Sequence, residues 1–145
     1  MSDETSQKSC FVDSNVWLYI LLPGQDNAKA NIAKQLVREK EANIVVSTQV
    51  VNEVVNGVIK HAVMNEAEIC ELIGRFYARY TVHHLTEAIQ LNASRLREDY
   101  SLSHWDSLII SAALTGNAGI LYSEDMQNGL VIDKQLTIVN PFTSQ

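Results

Sequence analysis

The chain is short of positive charge: 11 Lys and Arg stand against 17 Asp and Glu, for a formal net charge of −6 at pH 7. Proteins that coat nucleic acid need a basic footprint for the phosphates, so this balance argues against that class, although not against an enzyme that meets phosphate through metal ions. Cysteine is equally sparse. Of the two present, Cys10 falls in an apolar strand and Cys70 in a helical stretch, and in an intracellular chain such a pair reads as small buried side chains rather than as a disulfide or metal pair. No segment approaches the roughly 18 uninterrupted apolar residues of a membrane span. The opening "MSDETSQKS" lacks the basic-then-apolar order of a signal peptide, so a soluble, cytoplasmic protein is expected. There is no internal repeat and no linker. With 145 residues, 46% of them hydrophobic, the chain fits one core, and the expected division is a disordered polar leader over 1–9 and a single domain over 10–145.

Short apolar runs alternate with stretches of helical period, the pattern of βαβ units around a parallel sheet. Strands are expected near Cys10–Asp13, Asn43–Val46, Thr81–His84, Ile120–Tyr122 and Thr137–Val139. Helices are expected between them, over Asn27–Lys40, Ser47–His61, Asn65–Tyr80 and Thr86–Glu98, with a last one opened by the N-cap residue Ser103 and running through "HWDSLIISAALT".

Within that layout four acids draw interest. Asp13 ends the first strand, and in open parallel sheets ligands bind beyond the carboxyl ends of the strands. Asp125, in "ILYSEDMQNG", repeats the same strand-then-acid order. Asp106 lies in the first turn of a helix apolar nearly all round. It is favoured there by the helix dipole, but Ser103 already supplies the cap and the flanks predict burial. Glu53 shares a polar stripe with Gln49, Asn56 and Lys60 beside a valine stripe, and its flanks Val50, Val51, Val54 and Val55 place it at the edge of the core; a lone Glu in such a stripe otherwise reads as part of a solvated helix face.

Four carboxylates converging above one sheet edge repel, by about 4 kcal/mol per pair at 4 Å and an effective dielectric of 20. The chain offers too few nearby Lys or Arg to neutralise them, whereas divalent cations would. All-oxygen donors with no Cys, HxH or HExxH pattern suit Mg²⁺ or Mn²⁺ rather than zinc. Such ions activate water for in-line attack on phosphorus, which points to phosphodiester hydrolysis.

The order "FVDSNVWLY", "VSTQVVNEVVN", "YSLSHWDSLIISAAL", "ILYSEDMQNG" resembles the PIN-domain ribonucleases, and most closely the VapC-type toxins of bacterial toxin–antitoxin pairs, over nearly the whole chain from Cys10 to Phe142. The resemblance implies a three-layer α/β/α fold with a central, mostly parallel sheet. It implies an acidic quartet of Asp13, Glu53, Asp106 and Asp125, with Asn15 and Ser123 as accessory polar residues. Asp13 and Asp106 would ligate a first metal ion, and Asp125 and Glu53 a second ion or its waters. It further implies a dimeric endoribonuclease toxin acting on RNA with Mg²⁺ or Mn²⁺ and neutralised by a small VapB-like antitoxin. Glu124 adjoins Asp125, so which of the two faces the site is open, the Ser-x-Asp spacing favouring Asp125.

The remaining candidates are weaker. His83 and His84, adjacent on a strand, point to opposite faces and read as structural. Either His104 or Trp105 could stack on a base, but a Trp at a helix start reads as packing. Lys60 is the first choice for contacting substrate phosphate, and Arg75 and Arg79 suit the antitoxin or solvent. Two rival readings remain. One is a PIN-like module that binds a partner protein without catalysis, and the other a phosphoryl-accepting domain with Asp13 as nucleophile, disfavoured by Asn15 where that chemistry uses a second aspartate.

Overall fold

The computed structural model describes residues 8–143; most of the expected leader, residues 1–7, lies outside the described residues. The first strand, β1 (Ser9–Val12), begins one residue earlier than expected, at Ser9. It is followed by α1 (Ser14–Leu21), α2 (Asn27–Lys40), β2 (Ile44–Ser47), α3 (Thr48–Lys60), α4 (Glu66–Arg79), β3 (Thr81–His83), α5 (Glu87–Tyr100), α6 (His104–Thr115), β4 (Ala118–Tyr122), β5 (Val131–Ile132) and β6 (Leu136–Val139).

The six strands lie in the order β3-β2-β1-β4-β6-β5. Pairing is parallel throughout except for β5 against β6. The strands carry apolar residues on both faces because both are covered: all four residues of β2 are buried, and Phe11, Val12, Val46, Leu121 and Ile138 have almost no exposure. On one side α1 packs on α2 and α3, and α3 on α4; α5 and α6 form a separate pair, with α6 lying on β2 and β4. The expected three-layer α/β/α fold with a mostly parallel sheet is therefore what forms. No helix of the described residues is long and apolar enough to cross a membrane.

Each of the six α-helices among the described residues starts on a side-chain cap: Asp13, Asp26, Ser47, Asn65, Thr86 and Ser103 each accept a backbone N–H. Asn65 and Glu68 complete a reciprocal capping box. Such residues stop the preceding segment and set the next helix, which is why most expected helix starts agree with the observed ones.

Differences from expectation concentrate in short elements. The apolar residues after Asp13 form α1, too brief to show a helical period. β5, two residues long, has no sequence signature. Asn43 closes a single 3₁₀ turn rather than opening β2, and His84 lies beyond β3. His83, expected to be structural, packs against Gly116, where a Cβ would come within 3.0 Å of its Nε2. Of the cysteines, Cys10 is buried, and burial pushes its thiol up to about 11, whereas Cys70 is exposed, contrary to its reading as a buried side chain.

Candidate active site

From β1 the sheet grows in one direction through β2 and in the other through β4. This makes the gap between the carboxyl ends of β1 and β4 a topological switch point, the place where open α/β sheets form a ligand crevice. Asp13 stands at one side of it and Ser123 to Asp125 at the other. The ladder extends as far as the site, since Asp13 N–H donates to the Tyr122 carbonyl at 3.0 Å and Ser123 N–H to that of Val139 at 3.0 Å.

Asp13 is 6% exposed. One carboxylate oxygen accepts from Ser14 N–H at 2.8 Å, so the residue caps α1. The other accepts from Ser123 Oγ at 2.8 Å and from Asn15 Nδ2 at 3.3 Å. Burial pushes its carboxyl up to about 6; the bonds from Ser123 and Ser14 oppose the shift, and the negative charges of Glu53 and Asp125 add to it.

Asn15 ties the two strand ends together. Its Nδ2 lies 3.1 Å from Asp125 Oδ2 and 3.3 Å from Ser123 Oγ, while its Oδ1 accepts from Glu124 N–H at 3.1 Å. Ser123 is fully buried and relays the network, donating to Asp13 and accepting from Asp125 N–H at 3.3 Å. Glu124 turns elsewhere: it accepts from Tyr19 Oη at 2.8 Å and pairs with Lys29, whose ammonium also lies over the rings of Tyr19 and Phe142. It is thus Asp125 that joins the Asn15 network.

Glu53 comes from α3 and is half-buried rather than solvated. Ser14 Oγ donates to its Oε1 at 2.9 Å and Gln49 Nε2 to its Oε2 at 3.1 Å. Gln49 lies one turn before Glu53 on the same helix and also bonds the Trp105 carbonyl at 3.4 Å. Asp106, in the first turn of α6, donates its N–H to Ser103 Oγ at 3.1 Å. Burial raises its carboxyl, and the charge of Asp125 adds to the rise.

Asp13, Asn15, Ser123 and Asp125 therefore form one hydrogen-bonded unit. Glu53 joins it through Ser14, and Asp106 faces it through Asp125. Lys60 is exposed at the far end of α3, and the structure brings it to none of these acids. Arg79 pairs with Glu41 at 3.8 Å. Trp105, read as packing, is instead 62% exposed. Two site residues escaped the sequence reading. Ser14 is one; Gln49, placed there on a polar stripe, is 6% exposed, and its spacing of four from Glu53 is the signal that could have linked the two.

The donor set is all oxygen, the chemistry of a hard divalent cation. Among the described residues no three of these acids stand together at ligand spacing.

No curated protein matches the chain. Among solved structures, a toxin–antitoxin complex from Klebsiella pneumoniae is similar at a TM-score of 0.69 and 19% identity, covering 92% of this chain and 98% of that one. VapC20 of Mycobacterium tuberculosis, described as a sarcin-ricin loop cleaving toxin, gives 0.66 and 20%, covering 81% and 90%. VapBC2 of Rickettsia felis, bound to a fragment of promoter DNA, gives 0.60 and 19%, covering 90% and 98%. The PIN domain family model matches residues 10–127, a span that holds every strand end and acid of the crevice, and the chain belongs to that family.

Proposed function

We propose that the protein is a Mg²⁺- or Mn²⁺-dependent endoribonuclease toxin of the VapC type. The observation that carries this reading is the buried carboxylate of Asp13 at the switch point, repelled by Glu53 and Asp125, while Lys29 is held by the adjoining Glu124. Such a cluster is costly unless positive charge is supplied to it. The solved relatives that are toxins or toxin–antitoxin complexes support the same reading.

Asp13 and Asp106 would hold the first ion, and Asp125 and Glu53 a second ion or its waters. These acids do not stand at ligand spacing, so holding an ion would require their side chains to reorient. A divalent ion there lowers the pKa of water and neutralises charge on a phosphodiester. The chain's own residues prepare for this. Ser123 and Asn15 hold Asp13 and Asp125 in register, Ser14 and Gln49 fix both oxygens of Glu53, and Ser103 sets the turn that presents Asp106.

A toxin of this kind works on RNA in the cytoplasm as a homodimer and is restrained by a VapB-like antitoxin covering the acidic crevice. The test is the chemistry of the cut ends. Attack by water leaves a 5′-phosphate and a 3′-hydroxyl. A 2′,3′-cyclic phosphate would mean that the ribose hydroxyl attacks and would overturn the mechanism. A protein that binds an antitoxin-like partner yet cuts no RNA would instead be an interaction module.

A further inference from the structure

Beside the acids runs a groove that has Glu53 and Gln49 in one wall and extends past them to residues the catalytic reading leaves unused. It has a volume of about 420 Å³ and is lined by Gln49, Asn52, Glu53 and Asn56 from α3, by Leu85, and by Trp105 from α6; small-ligand sites span roughly 300–1,000 Å³. The α3 residues recur at steps of three and four and so share one helix face. They line the groove together with an indole that is 62% exposed and stands edge-on to the His104 ring.

A second feature asks for a ligand. Gln49 is 6% exposed, and its Nε2 is committed to Glu53 and to the Trp105 carbonyl. That leaves Oε1 as the open end of the amide, and it is a buried acceptor with no hydrogen-bond partner. Buried acceptors of this kind are costly to leave unpaired. The missing partner is a hydrogen-bond donor.

We infer that this groove receives one unpaired RNA base next to the scissile phosphate, stacked on Trp105, with its edge read by the amides of Asn52 and Asn56 and an N–H offered to Gln49. The inference rests on the nuclease reading and adds to it a base-binding subsite formed by this chain's own Trp105 and the polar face of α3. Every nucleobase combines a flat apolar face with polar edges, the two properties this lining matches. The lining contains no Lys or Arg, so the groove has little to offer a phosphate. Oε1 is closed to solvent, so an N–H reaches it only when the Gln49 amide turns and gives up its Nε2 bonds to Glu53 and the Trp105 carbonyl.

The test uses the Asp13→Asn protein in Mg²⁺, where cleavage is blocked, titrated with a single-stranded ribo-oligonucleotide and with a blunt duplex of the same sequence. Trp105 fluorescence should be quenched by the single strand only, since the other tryptophan, Trp17, is 6% exposed and gives a constant background. Trp105→Leu should weaken single-strand binding by about 5- to 150-fold, the range for loss of one stacked base, and Trp105→Phe should recover most of it. Equal binding of duplex, or unchanged affinity in Trp105→Leu, overturns the inference. So does quenching by an apolar peptide but not by RNA, which would make the groove a protein-docking face. Wild-type cleavage is assayed separately, so a protein that binds single strands through Trp105 but never cuts them would refute the nuclease reading and leave the base site standing.

Discussion

Gly57 and Leu18 face each other one helical turn beyond Glu53 and Ser14, so α1 and α3 are packed too closely for a side chain at Gly57 one turn from the hydrogen bond that orients Glu53. A Cβ on Gly57 would fall 2.7 Å from Leu18 Cδ2, while one turn up Ser14 Oγ reaches Glu53 Oε1 at 2.9 Å. Gly57→Ala gains about 1 kcal/mol of helix propensity but overpacks against Leu18 at a cost of about 1–3 kcal/mol. The expected result is a net loss of stability and, if the protein is the nuclease proposed, of activity. Leu18→Ala should lower stability alone yet partly rescue Gly57→Ala. Purely additive effects in that double-mutant cycle, measured by denaturant melts, would show that the contact does not set the helix spacing.

Ser14→Ala removes the donor to Glu53 and nothing from the core. Loss of a group that orients a metal ligand typically costs about 10–100-fold in metal affinity or activity, and under the proposed role of Glu53 the same drop in kcat/KM is expected here, with a higher Mg²⁺ requirement. Full activity at low Mg²⁺ would mean that Glu53 needs no orientation from α1.

The two neighbouring acids should separate cleanly. Glu124→Gln weakens the pair with Lys29, whose ammonium is partly solvent-exposed, so stability should change little and cleavage should persist. Asp125→Asn should abolish cleavage. The reverse pattern would show that the loop after β4 rearranges when metal binds.

In metal-free buffer Asp13 should work against the fold. Its carboxyl is pushed from 3.8 up to about 6 in the native state, so the folded protein holds a proton that the unfolded chain has released. The native form therefore loses stability as pH rises from about 4 to about 6, by up to about 3 kcal/mol, and gains none of it back above that window. Asp13→Asn keeps a side chain suited to the N-cap while removing the charge. In EDTA at pH 7 it should melt higher than wild type, and the difference should vanish near pH 4. A lower melting temperature at both pH values would make the Asp13 carboxylate a structural requirement of β1 and α1.

What could be read from the sequence followed the strength of the local physical signal. The helices from Asn27, Asn65 and Thr86 were visible because capping residues precede long apolar periods. β1, β2 and β4 were visible because strands covered on both faces are unbroken apolar runs. α1 was not, since Val16 to Leu21 is apolar on every side and has no period to detect. β5 is two residues long and exists only through its pairing with β6. At the site, Asp13 and Asp125 were legible as acids following strands. The roles of Asn15, Ser14 and Gln49 depend on hydrogen bonds across segments far apart in the chain, as does the turning of Glu124 toward Lys29. Trp105 was misjudged because packing is the commoner use of a Trp, and only the fold reveals that the start of α6 leaves this ring in solvent.

The most direct measurement is cleavage of total bacterial RNA by the purified protein in Mg²⁺, in Mn²⁺ and in EDTA, with Asp13→Asn alongside. Discrete fragments that need the metal and disappear in the variant are expected. Fragments that persist in EDTA, or that Asp13→Asn produces as readily as wild type, would contradict a metal-dependent site built on Asp13.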